Sequence, residues 1–310
     1  MSNLTSAGGQ ASHEGGGHRG TENALHPWRR FVAIGDSFTE GIGDPDPDSP
    51  GGHRGWADRT AEELARTVPD FAYANLAVRG RLLGQILAEQ AEAALALRPD
   101  LVSVFGGGND VLRPGSDPDV LAGRLDELLG IISRDGATVL LFTGFDVGHF
   151  PVLSAVRGKT AIYNENMRAV AKRHGAVVAD LWAARDLRLP GMRTEDRIHF
   201  SPLGHHTIAA LALEALNVPH TLKPLQVRPA MPRSWRTARH DDLVWARTHL
   251  APWVIHWLRH QSDSDGISAK RPAAGPLRLP GAAAGEPAAP RTEDDGGSHL
   301  PPSSSASAPA

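Results

Sequence analysis

The sequence predicts an α/β protein in which a parallel sheet is covered by helices on both faces. Two patterns support this prediction. Apolar runs of strand length alternate with longer amphipathic segments of helix length. The runs are almost continuously apolar, which is typical of strands that are buried on both faces.

The predicted elements follow one another along the chain. Apolar runs predict strands at residues 31–34, 71–76, 101–105, 138–143 and 176–181. Amphipathic segments predict helices at residues 56–67, 82–97, 119–134, 157–174 and 202–216. The last helix has a clear start, because Ser201 occupies the N-cap position and Pro202 is the first helical residue.

Composition divides the 310 residues into four parts. Residues 1–26 and residues 262–310 are rich in small and polar residues and have no apolar period, so both are predicted to be disordered. Residues 27–218 form the predicted domain. Residues 219–261 contain an amphipathic, Trp-rich stripe that is predicted to pack back on the domain, with a pocket flap or a weak membrane-surface contact as alternatives.

Charge and composition exclude several classes of function. The net charge is −3, with 32 Lys plus Arg against 35 Asp plus Glu, which argues against a protein that grips nucleic-acid phosphates. No run approaches the roughly 18 apolar residues of a membrane span, so stable membrane insertion is not expected. The first residues lack the basic start and apolar core of a secretory signal, and the cytoplasm is therefore the expected compartment.

Thiolate and metal chemistry are not expected either. The absence of cysteine excludes disulfides, a thiolate nucleophile and thiolate metal sites. His249, His256 and His260 recur at helical spacing, but no carboxylate accompanies them as a ligand, so no metal site is predicted. The reaction must then use oxygen and nitrogen groups.

A candidate nucleophile follows the first predicted strand. Ser37 lies in the segment Gly-Asp-Ser-Phe-Thr-Glu-Gly, residues 35–41, at the carboxyl end of that strand, where open parallel sheets bind ligands. Serine needs a base, and Asp196 and His199 offer an acid and a base three residues apart before the last helix. This spacing is a weak indication by itself, and Asp180 at the end of the fifth strand is a rival acid.

Two glycine-bearing turns strengthen the prediction. Gly80 follows the second predicted strand, and Asn109 follows the third in the run Gly-Gly-Gly-Asn-Asp. Both turns lie at the same sheet edge as Ser37, where a backbone N–H and an amide could point at a developing oxyanion. Asp36 and Asp110 are expected to support these turns by accepting backbone N–H bonds.

Four segments resemble, in order, the motifs of the SGNH or GDSL hydrolases. Residues 35–41 (GDSFTEG) look like the nucleophile segment of that family, Gly80 like the glycine of its second segment, residues 107–110 (GGND) like its third segment, and residues 196–199 (DRIH) like its last. Phe38 stands where the family pattern has Leu, which exchanges one apolar residue for another. The resemblance spans roughly residues 30–216.

The resemblance implies a fold, an activity and a set of roles. The implied fold is a three-layer, flavodoxin-like α/β/α sandwich with a five-stranded parallel sheet. Ser37 would be the nucleophile, His199 the base and Asp196 its orienting acid, with the Ser37 N–H, the Gly80 N–H and the Asn109 amide as oxyanion donors. The implied activity is hydrolysis of carboxylic esters, as by an esterase or lipase, without a metal or organic cofactor.

Several alternatives stay open at this point. The substrate could be a lipid-like, acetylated or simple ester, and the same triad could serve an acyltransferase or a thioesterase. A non-catalytic scaffold with an interaction tail is a further alternative. Residues 144–158 and the Trp-rich stripe are the expected pocket lining.

Overall fold

A six-stranded sheet runs through the centre of the fold. The computed structural model describes residues 25–150, 153–189, 191–225, 239, 243–250 and 266–277. The strands are β1 (Arg30–Ile34), β2 (Ala72–Asn75), β3 (Leu101–Val104), β4 (Thr138–Phe142), β5 (Val177–Ala179) and β6 (Arg271–Pro276). Their order is β5-β4-β3-β1-β2-β6, and the pairs among β1 to β5 are all parallel. All five predicted strands are present.

Helices cover both faces of this sheet. They are α1 (Ser37–Glu40), α2 (Gly55–Ala65), α3 (Leu83–Ala96), α4 (Gly108–Val111), α5 (Pro118–Ile132), α6 (Arg157–His174) and α7 (Pro202–Ala215). Successive residues of β1 alternate between two cores: Phe31 packs in the core that includes α2 and α7, and Val32 in the core that includes α3, α5 and α6. This arrangement confirms the predicted three-layer sandwich. No helix among the described residues has the length and apolar content to cross a membrane.

The sixth strand corrects the prediction of a wholly parallel, five-stranded sheet. β6 lies in residues 262–310, which were expected to be disordered, and it pairs antiparallel with β2. Its sequence is Arg-Pro-Ala-Ala-Gly-Pro, so apolar burial gives no indication of a strand. Proline lacks an N–H donor, and an edge strand is the place in a sheet where it is tolerated. Backbone pairing, which composition does not reveal, therefore orders this segment.

The predicted domain boundary at residue 26 falls at a buried residue. His26 is buried, and its Nε2 lies 2.9 Å from the Leu64 carbonyl oxygen at the end of α2. The remaining predicted disorder, at residues 1–24, 262–265 and 278–310, lies outside the described residues. So does most of the Trp-rich stripe, of which residues 243–250 are described and helical.

A buried ion pair ties the segment before β6 to α2. Lys270 Nζ contacts Asp58 Oδ2, and each side chain is 2% exposed. The same ammonium donates to the His53 carbonyl at 2.9 Å and to the Arg54 carbonyl at 2.8 Å. A lysine ammonium has three donors, and here each has an acceptor. The pair thus supplies order that the sequence of β6 lacks.

Removing one partner of this pair is expected to destabilise the protein strongly. Lys270→Met leaves the Asp58 carboxylate buried with weaker compensation, and such a loss typically costs about 3–5 kcal/mol. Urea denaturation measures the free energy of unfolding. The double variant Asp58→Asn/Lys270→Met should recover part of the loss, because the buried charge is gone. Lys223→Met, which alters an exposed lysine, is the control, and a Lys270→Met loss no larger than that of the control would contradict the assignment.

Candidate active site

The turn between β1 and α1 presents Ser37 at the carboxyl end of the sheet. Gly35 has a φ of +152°, and a Cβ there would lie 2.6 Å from the Phe105 carbonyl oxygen. Only glycine allows the chain to turn this closely against β3. Asp36 is the N-cap of α1, and its carboxylate accepts the Phe38 N–H at 3.0 Å. These two residues fix the orientation of Ser37, the first residue of α1.

The structure brings Ser37, His199 and Asp196 together. The Ser37 Oγ is 3.2 Å from the His199 Nε2, and the His199 Nδ1 is 2.6 Å from the Asp196 Oδ2. Since an ionised carboxylate can only accept, the proton shared by these two groups belongs to the His199 Nδ1. The His199 Nε2 is then free to accept the serine proton.

Asp196 also closes the turn in which it lies. Its Oδ1 accepts the Ile198 N–H and the His199 N–H, both at 2.9 Å, and the Thr194 hydroxyl at 2.6 Å. Burial alone would raise the pKa of the Asp196 carboxyl, but the hydrogen bonds and charge of His199 and the other donors hold that pKa well below its usual value. Asp196 is therefore ionised, and it can accept the proton that His199 carries on Nδ1.

Arg193 also stabilises the turn that contains Asp196. Its guanidinium carbon lies 3.7 Å from the Phe145 ring centroid and 3.5 Å from that of Phe200, so the group is held between two rings. One guanidinium N–H donates to the Ile198 carbonyl at 2.7 Å. Burial lowers the pKa of Arg193 to about 9, against the opposing charge of Asp196. Nothing in the sequence singled out this arginine among the other basic residues.

The second turn positions the Gly80 N–H. Gly80 has a φ of +75°, in the left-handed region that favours glycine. The residue before it is fixed by Glu40 of α1, which accepts the Arg79 N–H at 2.7 Å and forms an ion pair with the Arg79 guanidinium at 2.5 Å. The sequence analysis did not identify Glu40 as a supporting residue. Its place inside the nucleophile segment, at residues 35–41, was the signal that could have done so.

The third turn positions the Asn109 amide. Its Nδ2 donates to the Arg81 carbonyl at 3.1 Å and lies 3.3 Å from the Asp36 Oδ2. Gly107 has a φ of +91°, and a Cβ there would lie 2.6 Å from the Tyr163 hydroxyl, so the turn packs closely on α6. Asp110 accepts the Leu83 N–H at 2.9 Å and thereby joins this turn to the start of α3.

Asp180 does not contact His199. Its carboxylate accepts a hydrogen bond from the Thr143 hydroxyl at 3.0 Å and pairs with the Arg168 guanidinium at 2.8 Å. The rival acid, which follows the edge strand β5, is thus bound to Thr143 and Arg168. Among the described residues, no group of three or more His, Asp or Glu side chains is arranged to hold a metal ion.

An apolar cleft opens beside Ser37. It has a volume of about 100 Å³. Its apolar lining includes Phe38, Ile42, Phe105, Val111, Leu112, Phe145, Val147, Leu153, Val156, Ile198 and Phe200. Residues 144–158 contribute to this wall, which confirms the expectation for that loop. The described part of the Trp-rich stripe does not line the cleft.

Solved structures share this fold. LAE5, described as an α/β hydrolase enzyme from the metagenome of Lake Arreo in Spain, is 25% identical, with a TM-score of 0.52 over 61% of this chain and 95% of its own. TesA is 21% identical, with a TM-score of 0.52 over 60% of this chain and 97% of its own. Axe2, an acetylxylan esterase from Geobacillus stearothermophilus, is 18% identical, with a TM-score of 0.51 over 63% of this chain and 97% of its own.

The comparison with curated proteins gives no match. A family model does match: that of the GDSL-like lipase/acylhydrolase family, over residues 33–207. The match begins in β1 and extends past His199 into α7. It therefore includes all three turns and the loop that contains Asp196 and His199. The chain therefore belongs to the GDSL-like lipase/acylhydrolase family, whose members are esterases and lipases that act on carboxylic esters.

Proposed function

We propose that the protein hydrolyses carboxylic esters with an aliphatic acyl chain through a covalent intermediate on Ser37. The observation that supports this most directly is the hydrogen-bonded series Ser37–His199–Asp196 at the mouth of an apolar cleft. A nucleophile, a base and an orienting acid within hydrogen-bond distance are the geometric requirement for acyl transfer to serine.

The reaction begins when His199 Nε2 takes the proton from the Ser37 hydroxyl. The Ser37 Oγ forms a bond to the ester carbonyl carbon, and the carbonyl oxygen becomes an oxyanion. The N–H groups of Ser37 and Gly80 are proposed donors to that oxyanion, and the Asn109 Nδ2 would join them by exchanging its 3.3 Å contact with the Asp36 Oδ2 for the oxyanion. The tetrahedral intermediate then expels the alcohol oxygen, which takes the proton from His199. Water repeats the sequence on the acyl-enzyme, releases the acid and regenerates Ser37.

The cleft supports an acyl group larger than acetyl. Its walls are mostly apolar, and apolar side chains give an acyl chain an environment from which water is excluded. Each methylene buried there contributes roughly 0.8 kcal/mol of transfer free energy. We therefore expect kcat/KM to rise with acyl length until the cleft is filled.

Hydrolysis of p-nitrophenyl esters tests this function. The wild-type protein should cleave butanoate and hexanoate faster than acetate, and Ser37→Ala should lose this activity together with labelling by a fluorophosphonate probe. Ser268→Ala, which changes an exposed serine, is the matched control and should behave as wild type. Full activity in Ser37→Ala would exclude the mechanism, while absence of both turnover and labelling in the wild type would favour a non-catalytic scaffold. A preference for acetate would exclude the acyl-chain assignment.

Asp36 is the second electrostatic feature of the proposed site. Its carboxyl is fully buried next to the nucleophile, and burial raises its pKa to about 7 from an ordinary value of 3.8. The folded state therefore holds this proton more tightly than the unfolded state does. The resulting stabilisation is complete below pH 3.8 and is lost as the pH rises through about 7. Carboxyl groups with strongly shifted pKa values cluster at functional sites, even where their ionisation lowers the stability of the fold.

Replacing this carboxyl should remove the pH dependence. Asp36→Asn stays neutral, so its unfolding free energy relative to wild type should rise between pH 4 and pH 8, by as much as about 4 kcal/mol. Urea denaturation at a series of pH values measures the difference. Asp135→Asn, which changes an exposed carboxylate, is the control. A difference between Asp36→Asn and wild type that is constant over this range would contradict the raised pKa.

A further inference from the structure

The C-terminal extension reaches the turn that contains the proposed catalytic acid. Residues 243–250 are helical and lie beyond the region matched by the family model, which ends at residue 207. Within this helix Trp245 is buried, at 5% exposure, whereas its neighbour Leu243 is 71% exposed. Trp245 therefore packs on the domain, whereas Leu243 faces solvent.

Trp245 contacts two successive residues of the turn at residues 194–199, which contains Asp196 and His199. Its indole Nε1–H donates to the Asp196 backbone carbonyl at 2.8 Å. The Arg197 guanidinium carbon lies 5.2 Å from the indole centroid, within the range of a cation–π contact. The contact is thus both directional and specific to this turn, unlike the packing of an apolar side chain in a core.

The turn has a conformation that benefits from outside support. Arg197 has a φ of +60°, a left-handed conformation that is unfavourable for a residue with a Cβ. Several hydrogen bonds of the turn join its own residues: Arg197 N–H donates to the Thr194 carbonyl, and Thr194 N–H to the His199 carbonyl. The Asp196 carboxylate is likewise occupied with His199, Ile198 and Thr194. Trp245 adds a bond from 49 residues further along the chain.

We propose that Trp245 is a positioning residue that holds this turn in place, so that His199 stays within hydrogen-bond distance of Ser37. Trp245 acts through Asp196: it fixes the backbone carbonyl of the residue whose side chain orients the imidazole. The helix at residues 243–250 then contributes to the geometry of the proposed active site as well as packing on the domain. This inference rests on the proposed function of Ser37, His199 and Asp196.

The test is the rate at which a small fluorophosphonate labels Ser37. Trp245→Phe keeps an aromatic ring but removes the N–H donor, so the labelling rate should fall about five- to tenfold, the effect of one lost hydrogen bond. For p-nitrophenyl butanoate, kcat should fall while KM stays within about twofold, since Trp245 does not line the cleft. Trp182→Phe, which alters a half-buried tryptophan that does not line the cleft, is the matched control and should label at the wild-type rate.

Two further measurements separate positioning from general stability. The thermal midpoint of Trp245→Phe should stay close to that of wild type, and hydrogen exchange should accelerate at the Ile198 and His199 amides but not in α3. Labelling at the wild-type rate would overturn the inference. So would a slower rate accompanied by a large fall in the midpoint and faster exchange throughout the domain. Failure of the wild-type protein to label at Ser37 would instead refute the proposed function.

Discussion

Carboxylates that accept backbone N–H groups hold the candidate active site together. Asp36 accepts the N–H of Phe38, Glu40 that of Arg79, Asp110 that of Leu83, and Asp196 those of Ile198 and His199. Each of the turns at this edge of the sheet is thus fixed by a side chain placed within it or beside it. A carboxyl group is suited to this role because its two oxygens can accept several hydrogen bonds at once. The parallel sheet brings the turns to one edge, and these bonds then fix their directions.

The same interactions have an electrostatic consequence for the reaction. Asp196 is held ionised by its donors, whereas burial raises the pKa of Asp36 to about 7 and also raises that of Asp110. Acidic groups close to Ser37 therefore differ in how readily they ionise, because hydrogen-bond donors lower the pKa of Asp196 whereas burial raises the pKa values of Asp36 and Asp110. The ionised one is the partner of His199, where a negative charge stabilises the imidazolium that forms during the proposed reaction. The apolar lining of the cleft beside it lowers the local dielectric constant, which strengthens these electrostatic effects.

The sequence was sufficient for the parts of the structure that follow local rules. Apolar runs placed β1 to β5, and motif residues led to Ser37, Gly80, Asn109, Asp196 and His199, which lie at one sheet edge. β6 was missed because backbone pairing and the Lys270–Asp58 ion pair order it, and neither produces an apolar period. Arg193 and Trp245 were missed for a related reason: their roles depend on contacts with rings and carbonyls that only the folded chain brings within reach.

The rate of fluorophosphonate labelling of Asp196→Asn tests the central claim most directly. An asparagine can replace the backbone-accepting oxygen, but its NH₂ cannot accept the Nδ1 proton of His199. The imidazole would then hold its proton on Nε2, where it can no longer accept the Ser37 proton. In serine proteases the corresponding change lowers turnover roughly 10⁴-fold, and a loss of comparable size is expected here with the fold intact by circular dichroism. A labelling rate within tenfold of wild type would contradict the role of Asp196 and with it the account of the site.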